Sequence, residues 1–324
     1  MKILNALFLE FSKAHRNVIV TTLKITIAVF LIFYLVTHLN PYQIWQDFIS
    51  ANIWGIGIAV LLLIPNLFLQ YKKWEIVCKA LLKEKSKRNI LLSLFYGFSA
   101  GLSTPMRLGE YVGRAIPFSN KNIVELTVAT FIDKLFPILI VLFLGSVSSI
   151  IFIRVFYHVS NFITIGLFLV LFAAFYFIFM IFNDSDFWKN YLFNKMKKIK
   201  VLEKYANQFS TVNKLSSVTI GKITTISFVF YFTYILQFAF LLFAFNNSFS
   251  ILNYIWIGIM VMFAKKFISF LSIGDLGVRE ATAVYFAGSL GVPEVSAFNA
   301  SIFIFIINLV IPSLIGLILL LKRN

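Results

Sequence analysis

Cysteine occurs once, histidine three times and acidic residues only 13 times in this 324-residue chain. The single Cys78 excludes an intramolecular disulfide, and its place in a basic loop reads as a reduced cytoplasmic thiol. Three scattered histidines beside one cysteine make no convincing ligand set, so no metal or other cofactor is expected. A Gly-rich Walker loop is absent too, which argues against direct driving by ATP. Charged residues make up 13% of the chain, against roughly 25% in a soluble domain.

What the chain has instead is hydrocarbon. Mean hydropathy is +0.89, and apolar runs at 18–38, 53–70, 126–152, 162–182, 218–245, 255–270 and 297–321 approach or exceed the ~20 residues a helix needs to cross a bilayer. None shows the period-2 alternation of a porin strand, and inside lipid every backbone group needs an internal partner. The expected fold is an all-α polytopic integral membrane protein of about 7–8 transmembrane helices, one membrane domain over 1–324. The run at 18–38 is longer than a signal-peptide core and reads as the first anchored helix. Two shorter apolar pieces, 90–101 and 281–290, suit broken or re-entrant helices better than full crossings.

The net charge of +16 carries information through its distribution. Seven Lys/Arg fall in 72–88 and eight in 189–222, whereas 39–53 and 246–254 hold none. That is the positive-inside pattern, placing the rich loops and the N-terminus in the cytoplasm of a cell whose cytoplasmic (inner) membrane holds the protein. The basicity then serves topology and attraction to anionic lipids at the cytoplasmic face, not nucleic acid. Between 183 and 217, Trp188, Leu192, Phe193, Met196, Ile199 and Leu202 recur at three to four, as in an amphipathic cytoplasmic linker. Lys265 and Lys266 read as a snorkelling topology signal at the end of a span. Seven crossings would leave the C-terminus outside, yet Lys322 and Arg323 argue for inside.

Two polar stretches interrupt this pattern. The first, TPMRLGEYVGR at 104–114, opens a broken-helix block spanning 90–152. If it is helical, Arg107, Glu110 and Arg114 share one face, Pro105 occupies the first turn and Thr104 caps it. Gly97, Gly101, Gly109 and Gly113 permit close helix contact or an unwound bend. The second, SIGDLGVREATAVYFAGSLG at 272–291, lies in a block spanning 255–321 and brings Asp275, Arg279 and Glu280. Aligning LGEYVGR with LGVREAT pairs Leu108 with Leu276 and Gly109 with Gly277. Each block then leads to a span containing a proline, Pro137 or Pro312, as an inverted internal repeat would. Asp133 and Lys134, near the start of a long span, read either as a locally paired interfacial couple or as a gating or coupling pair.

GFSAGLSTPMRLGEYVGR, then FIDKLFPILIVLF, then the run from LSIGDLGVREA to the last span resemble the flippase-like transmembrane domain of the lysylphosphatidylglycerol synthase family. IPNLFLQYKKWEIV is similar to that family's second-helix region. The resemblance covers essentially the whole chain and implies movement of lipids between leaflets. It implies no appended aminoacyltransferase, since the chain stops at Lys322-Arg323-Asn324, and so no enzyme. The family's proline-glycine pair appears here as Pro105-Met106, and its Pro and Gly-Gly opening of the second block as Ser272-Ile273-Gly274-Asp275.

In a flippase, Arg107, Arg114 and Arg279 are expected to bind a headgroup phosphate, with Glu110 and Glu280 holding the arginines or meeting a headgroup amine, and Asp275 is expected among the substrate-binding residues. The expected partner is a membrane lipid with an anionic or zwitterionic headgroup, a phospholipid or a polyprenyl-phosphate-linked lipid. The sequence leaves open an intramembrane enzyme acting on lipid-linked substrates and a non-transporting membrane partner protein, and it gives no protein partner or oligomeric state.

Overall fold

The computed structural model describes residues 22, 25–102, 104, 107–118, 120–183, 215–268 and 275–322. Pro105, Met106 and Ser272 to Gly274 lie outside these residues, as does the expected linker helix at 183–217 apart from its ends. The described chain is helical throughout, and it is a multi-pass membrane fold.

Among the described residues six helices are long and apolar enough to cross a membrane: Ile53–Leu82, Ile123–Phe156, Asn161–Met180, Ser217–Asn246, Ile251–Ile268 and Glu294–Leu321. A seventh crossing results if α1 (Ile25–His38) and α2 (Pro41–Ile49), which meet at 81°, count as one span. Pro41 and the Asn40 side chain, which accepts the Tyr42 amide at 3.0 Å, start α2 in its new direction. The count agrees with the apolar runs because length and hydrocarbon content alone set it.

The first full span is α3 (Ile53–Leu61) followed by α4 (Leu63–Val77) and a π-helical turn, Cys78–Leu82. It runs farther than the apolar stretch at 53–70. Glu75 takes both Lys72 (3.1 Å) and Lys79 (2.7 Å), so the basic residues stay on the helix instead of ending it. Cys78 is therefore not in a loop: it is fully buried in a cluster with Trp74, Val77, Leu81 and Leu82.

Next come α5 (Lys87–Leu102), the five-residue α6 (Gly109–Gly113), the long α7 (Ile123–Phe156) and α8 (Asn161–Asn183). After the undescribed linker, α9 (Ser217–Asn246) runs through the centre and packs on α3, α4, α7 and α10 (Ile251–Ile268). The short α11 (Val278–Ser289) leads to α12 (Glu294–Phe305), a second π-helical turn, Ile306–Val310, and α13 (Ile311–Leu321). Neither α5 nor α11 is among the candidate crossings, in line with their expected role as short helices of the two blocks.

The two largest apolar clusters among the described residues organise the bundle. One joins Phe238, Leu241, Tyr254, Ile257, Phe286 and Ile304 around α9 to α12, and the other surrounds Trp74 between α4, α5 and α7. Between them α5 and α13 approach closely, with the Ser99 hydroxyl on the Ser313 carbonyl (2.5 Å) and Ser313 on the Phe98 carbonyl (3.0 Å). Small side chains at this contact let backbones meet without lipid between them.

Candidate functional site

The first block folds as a tight reversal. Thr104 Oγ1 accepts the Gly109 amide at 2.7 Å and donates to the Ala100 carbonyl at 3.2 Å, joining the end of α5 to the start of α6. A side chain at Gly109 or Gly113 would strike the Ala100 or Tyr96 carbonyl, so α6 lies directly on the backbone of α5. Gly97 and Gly101 leave room on α5 for Arg114, Glu110 and Arg107. Among the described residues of this stretch only Gly109–Gly113 is helical: Arg107 stands in the preceding turn at φ 57. The one-face helix expected of 107, 110 and 114 is replaced by a turn that still gathers all three.

Glu110 is their centre. It accepts Arg114 Nη2 at 2.6 Å and Lys134 Nζ at 2.7 Å, and Arg107 Nη2 lies 3.5 Å away. Arg114 also donates through Nη1 to Asp133 at 2.8 Å, and Lys73 is 3.3 Å from the same carboxylate. Asp133 and Lys134 thus do not form the couple that their adjacency suggests: each turns to a different partner from another element. Lys73 owes its place to a proline. Pro137 has no amide hydrogen for the carbonyl of Asp133, four residues before it, and Lys73 Nζ donates there at 2.7 Å.

In this cluster Lys73, Arg107, Arg114 and Lys134 face the two carboxylates Glu110 and Asp133, an excess of two positive charges. Apart from Arg107 and Lys134, the side chains are under a tenth exposed, so water screens the excess poorly.

The second block repeats the chemistry with another backbone. Asp275 (φ 64) and Gly277 (φ 78) turn the chain into α11, where the Gly277 amide donates to Glu280 at 2.7 Å. Glu280 also holds Arg279 (2.5 Å) and the Ser301 hydroxyl (3.3 Å). Each block therefore carries a buried Arg–Glu pair whose guanidinium lies on an aromatic face from a neighbouring span: Arg114 over Trp74 at 4.4 Å, Arg279 over Phe305 at 4.8 Å.

The blocks converge. Arg107 from the first and Asp275 and Arg279 from the second line one cavity of about 70 Å³, with Asn66, Lys265 and Asn308 contributing from three spans. Residues 21–316 match the family described as the lysylphosphatidylglycerol synthase TM region. The chain belongs to that family. Nearly the whole chain is thus a lysylphosphatidylglycerol synthase transmembrane region, a membrane domain whose function concerns lipids. Comparison with curated proteins gives no match.

Within this lysylphosphatidylglycerol synthase region, the residues expected at the site divide into two groups. Arg107, Asp275 and Arg279 border the cavity, while Glu110, Arg114, Asp133 and Lys134 lie behind Arg107 in the ionic cluster, and Glu280 anchors Arg279 from within the protein. Lys265 is no free snorkelling lysine. It reaches 3.5 Å from Asp275, because the second break places that carboxylate beside the end of α10. Among the described residues no His, Cys, Asp and Glu side chains are grouped as metal ligands.

Sequence reasoning missed Lys73, Trp74, Asn66, Gln237 and Asn308. The signal was present as polar residues inside apolar runs, in IPNLFLQYKKW, YILQFAF and IINLVIP, where a bilayer makes them costly unless they face protein or a polar cavity.

Proposed function

We propose that the chain is a lipid flippase of the cytoplasmic membrane, carrying a phospholipid or polyprenyl-phosphate-linked lipid between leaflets, with the N-terminus and basic loops on the cytoplasmic side. The observation that carries this reading is the convergence of the two helix breaks on one cavity. Arg107 is the link, since it touches Glu110 of the ionic cluster and also borders the cavity with Arg279.

The cluster, with Arg107 counted in it, has two cations more than it has carboxylates, so a headgroup phosphate entering beside Arg107 offsets a charge the protein leaves uncompensated. Among the described residues Arg107 Nε is buried without a hydrogen-bond partner, so the guanidinium keeps an unused donor. The cavity is too small for acyl chains, which stay in lipid while the headgroup passes. Glu110, Asp133, Asp275 and Glu280 each already oppose a cation, which favours transport over intramembrane acid–base chemistry. Exposed lysines such as Lys79 meet the anionic leaflet.

The test is headgroup translocation in proteoliposomes, comparing the intact protein with Arg107→Ala and Arg279→Ala at matched incorporation. Both variants are expected to lose transport while remaining folded. Absence of translocation across a broad lipid panel, with ion gradients supplied and folding demonstrated, would overturn the proposal.

A further inference from the structure

We propose that α2 is an interfacial anchor: it runs along the plane of the bilayer at the edge of one leaflet, with Tyr42, Trp45 and Ile49 seated among uncharged lipid groups. This surface lies outside the cavity, and the proposal does not depend on the flippase reading.

The chain turns α2 away from its neighbours and then fixes it. Asn40 stands at φ 64 and Pro41 opens the helix, which leaves α1 at 81°. At its far end Asn247 Nδ2 donates to the Ser50 carbonyl at 3.2 Å, and the Asn52 amide reaches the Ala244 carbonyl at 2.7 Å. On its flank Asn299 Nδ2 donates to the Ile44 carbonyl and to Asp47 Oδ2, both at 3.1 Å, while Ser296 Oγ donates to Asp47 Oδ1 at 3.3 Å. Ala244 and Asn247 stand where α9 ends, and Ser296 and Asn299 in the first two turns of α12. The level at which spans begin and end is the edge of the hydrocarbon, so α2 lies there and crosses the direction of the spans.

Its side chains fall into three sectors at about 100° per residue. Ile44 and Asp47 face the protein, Ile44 packing with Leu35, Leu39 and Phe298. Gln43, Gln46 and Ser50 form an exposed polar strip beside them. Adjoining that strip, Tyr42, Trp45 and Ile49 are 68%, 58% and 61% exposed. Water on all sides would leave the apolar strip uncovered, and hydrocarbon on all sides would strip the glutamines of hydrogen-bond partners. A boundary between the two satisfies both strips, and tryptophan and tyrosine are the residues that favour it.

The occupant of the apolar strip is lipid. The helices on either side of α2 in the chain expose Phe33 and Trp54, so the strip extends a surface that already faces the bilayer. Residues 39–53 hold no Lys or Arg, and Asp47, their one acidic residue, is turned to Ser296 and Asn299. No charge is left on α2 to draw it to anionic headgroups, so it binds the ester and glycerol zone common to all phospholipids.

The experiment places a nitroxide on the full chain in phosphatidylcholine vesicles, at Tyr42→Cys, Trp45→Cys and Ile49→Cys and, separately, at Gln43→Cys, Gln46→Cys and Ser50→Cys. The one native thiol, Cys78, is fully buried, so the label goes to the introduced cysteine, and an unsubstituted control measures any background. Collisions with oxygen, which concentrates in lipid, and with a water-soluble nickel chelate are read by electron paramagnetic resonance. Oxygen is expected to dominate at 42, 45 and 49 and the chelate at 43, 46 and 50. Positions 42 and 49 should lie at the same depth, whereas a helix running inward would put one roughly 10 Å deeper than the other, seven residues at about 1.5 Å each. Replacing half of the phosphatidylcholine by phosphatidylglycerol should change none of these depths.

A steady change of depth from 42 to 49 would overturn the proposal in favour of a bent crossing. Access of the chelate to all of the positions would place α2 in water, and shielding of 42, 45 and 49 from both reagents would show that protein, such as a second copy of the chain, covers the strip; either result refutes the lipid anchor. A depth that shifts with phosphatidylglycerol would refute the uncharged contact.

Discussion

Replacing Glu110 by Gln should damage the protein far more than replacing its partner Lys134. Glu110 is the acceptor for Arg114 at 2.6 Å and Lys134 at 2.7 Å, with Arg107 at 3.5 Å, and its side chain is 4% exposed. Glutamine keeps the shape and removes the charge, leaving four cations around Asp133 alone. Breaking a buried ionic arrangement from the minority side costs about 3–5 kcal/mol.

Lys134→Gln acts in the opposite sense. It takes one charge from the excess, its side chain is 23% exposed, and Glu110 keeps both arginines, so about 0–1 kcal/mol is expected. If a chain of this length unfolds as one unit, roughly 1.5 °C accompanies each kcal/mol, so Glu110→Gln should lower the unfolding temperature by about 4–8 °C and Lys134→Gln by no more than about 1.5 °C. The assay is thermal unfolding of both variants in the same lipid nanodiscs, followed by tryptophan emission. Combining Glu110→Gln with Lys134→Met should recover part of the loss, because it removes an uncompensated cation. Equal losses for the two single variants, or no recovery in the double, would refute the account of a cation-rich cluster held by few carboxylates.

The role of Pro137 is tested by a double-mutant cycle. Lys73→Met should cost less in a Pro137→Ala background, by about 1 kcal/mol, because the alanine supplies the amide that the Asp133 carbonyl lacks, and denaturant midpoints of the four proteins measure the coupling. Gly109→Ala and Gly113→Ala should each destabilise by about 1–3 kcal/mol in thermal unfolding, since the new methyl meets the carbonyl of Ala100 or Tyr96. Gly57→Ala, where an added methyl meets nothing within 4 Å, should leave the midpoint unchanged or raise it slightly. Trp74→Leu should weaken the protein by more than its lost area, because it removes both the face under Arg114 and the indole hydrogen bond to Ser93 at 2.7 Å, and comparison with Trp74→Phe separates the two losses.

Hydrocarbon content by itself determined that the chain crosses a membrane as helices, because no soluble packing can bury runs of this length and a bilayer admits no unpaired backbone. Locally unusual residues also announced themselves: TPMRLGEYVGR and GDLGVREA marked the two breaks and the family. The partners of those residues were not legible. Sequence adjacency paired Asp133 with Lys134, but side chains next to each other on a helix point away from one another, and tertiary packing sent them to Arg114 and Glu110. Lys73 looked like one more basic loop residue until Pro137, sixty-four positions later, was seen to leave a carbonyl open to it. The convergence of Arg107, Asn66, Asp275, Arg279 and Asn308 on one cavity depends on how α5, α4, α11 and the last span cross, and crossing is set by glycine contacts and ionic pairs between distant segments. Pattern and hydropathy are local quantities and fixed the solvent and the helices. The site is a product of long-range contacts, which only the folded chain brings together.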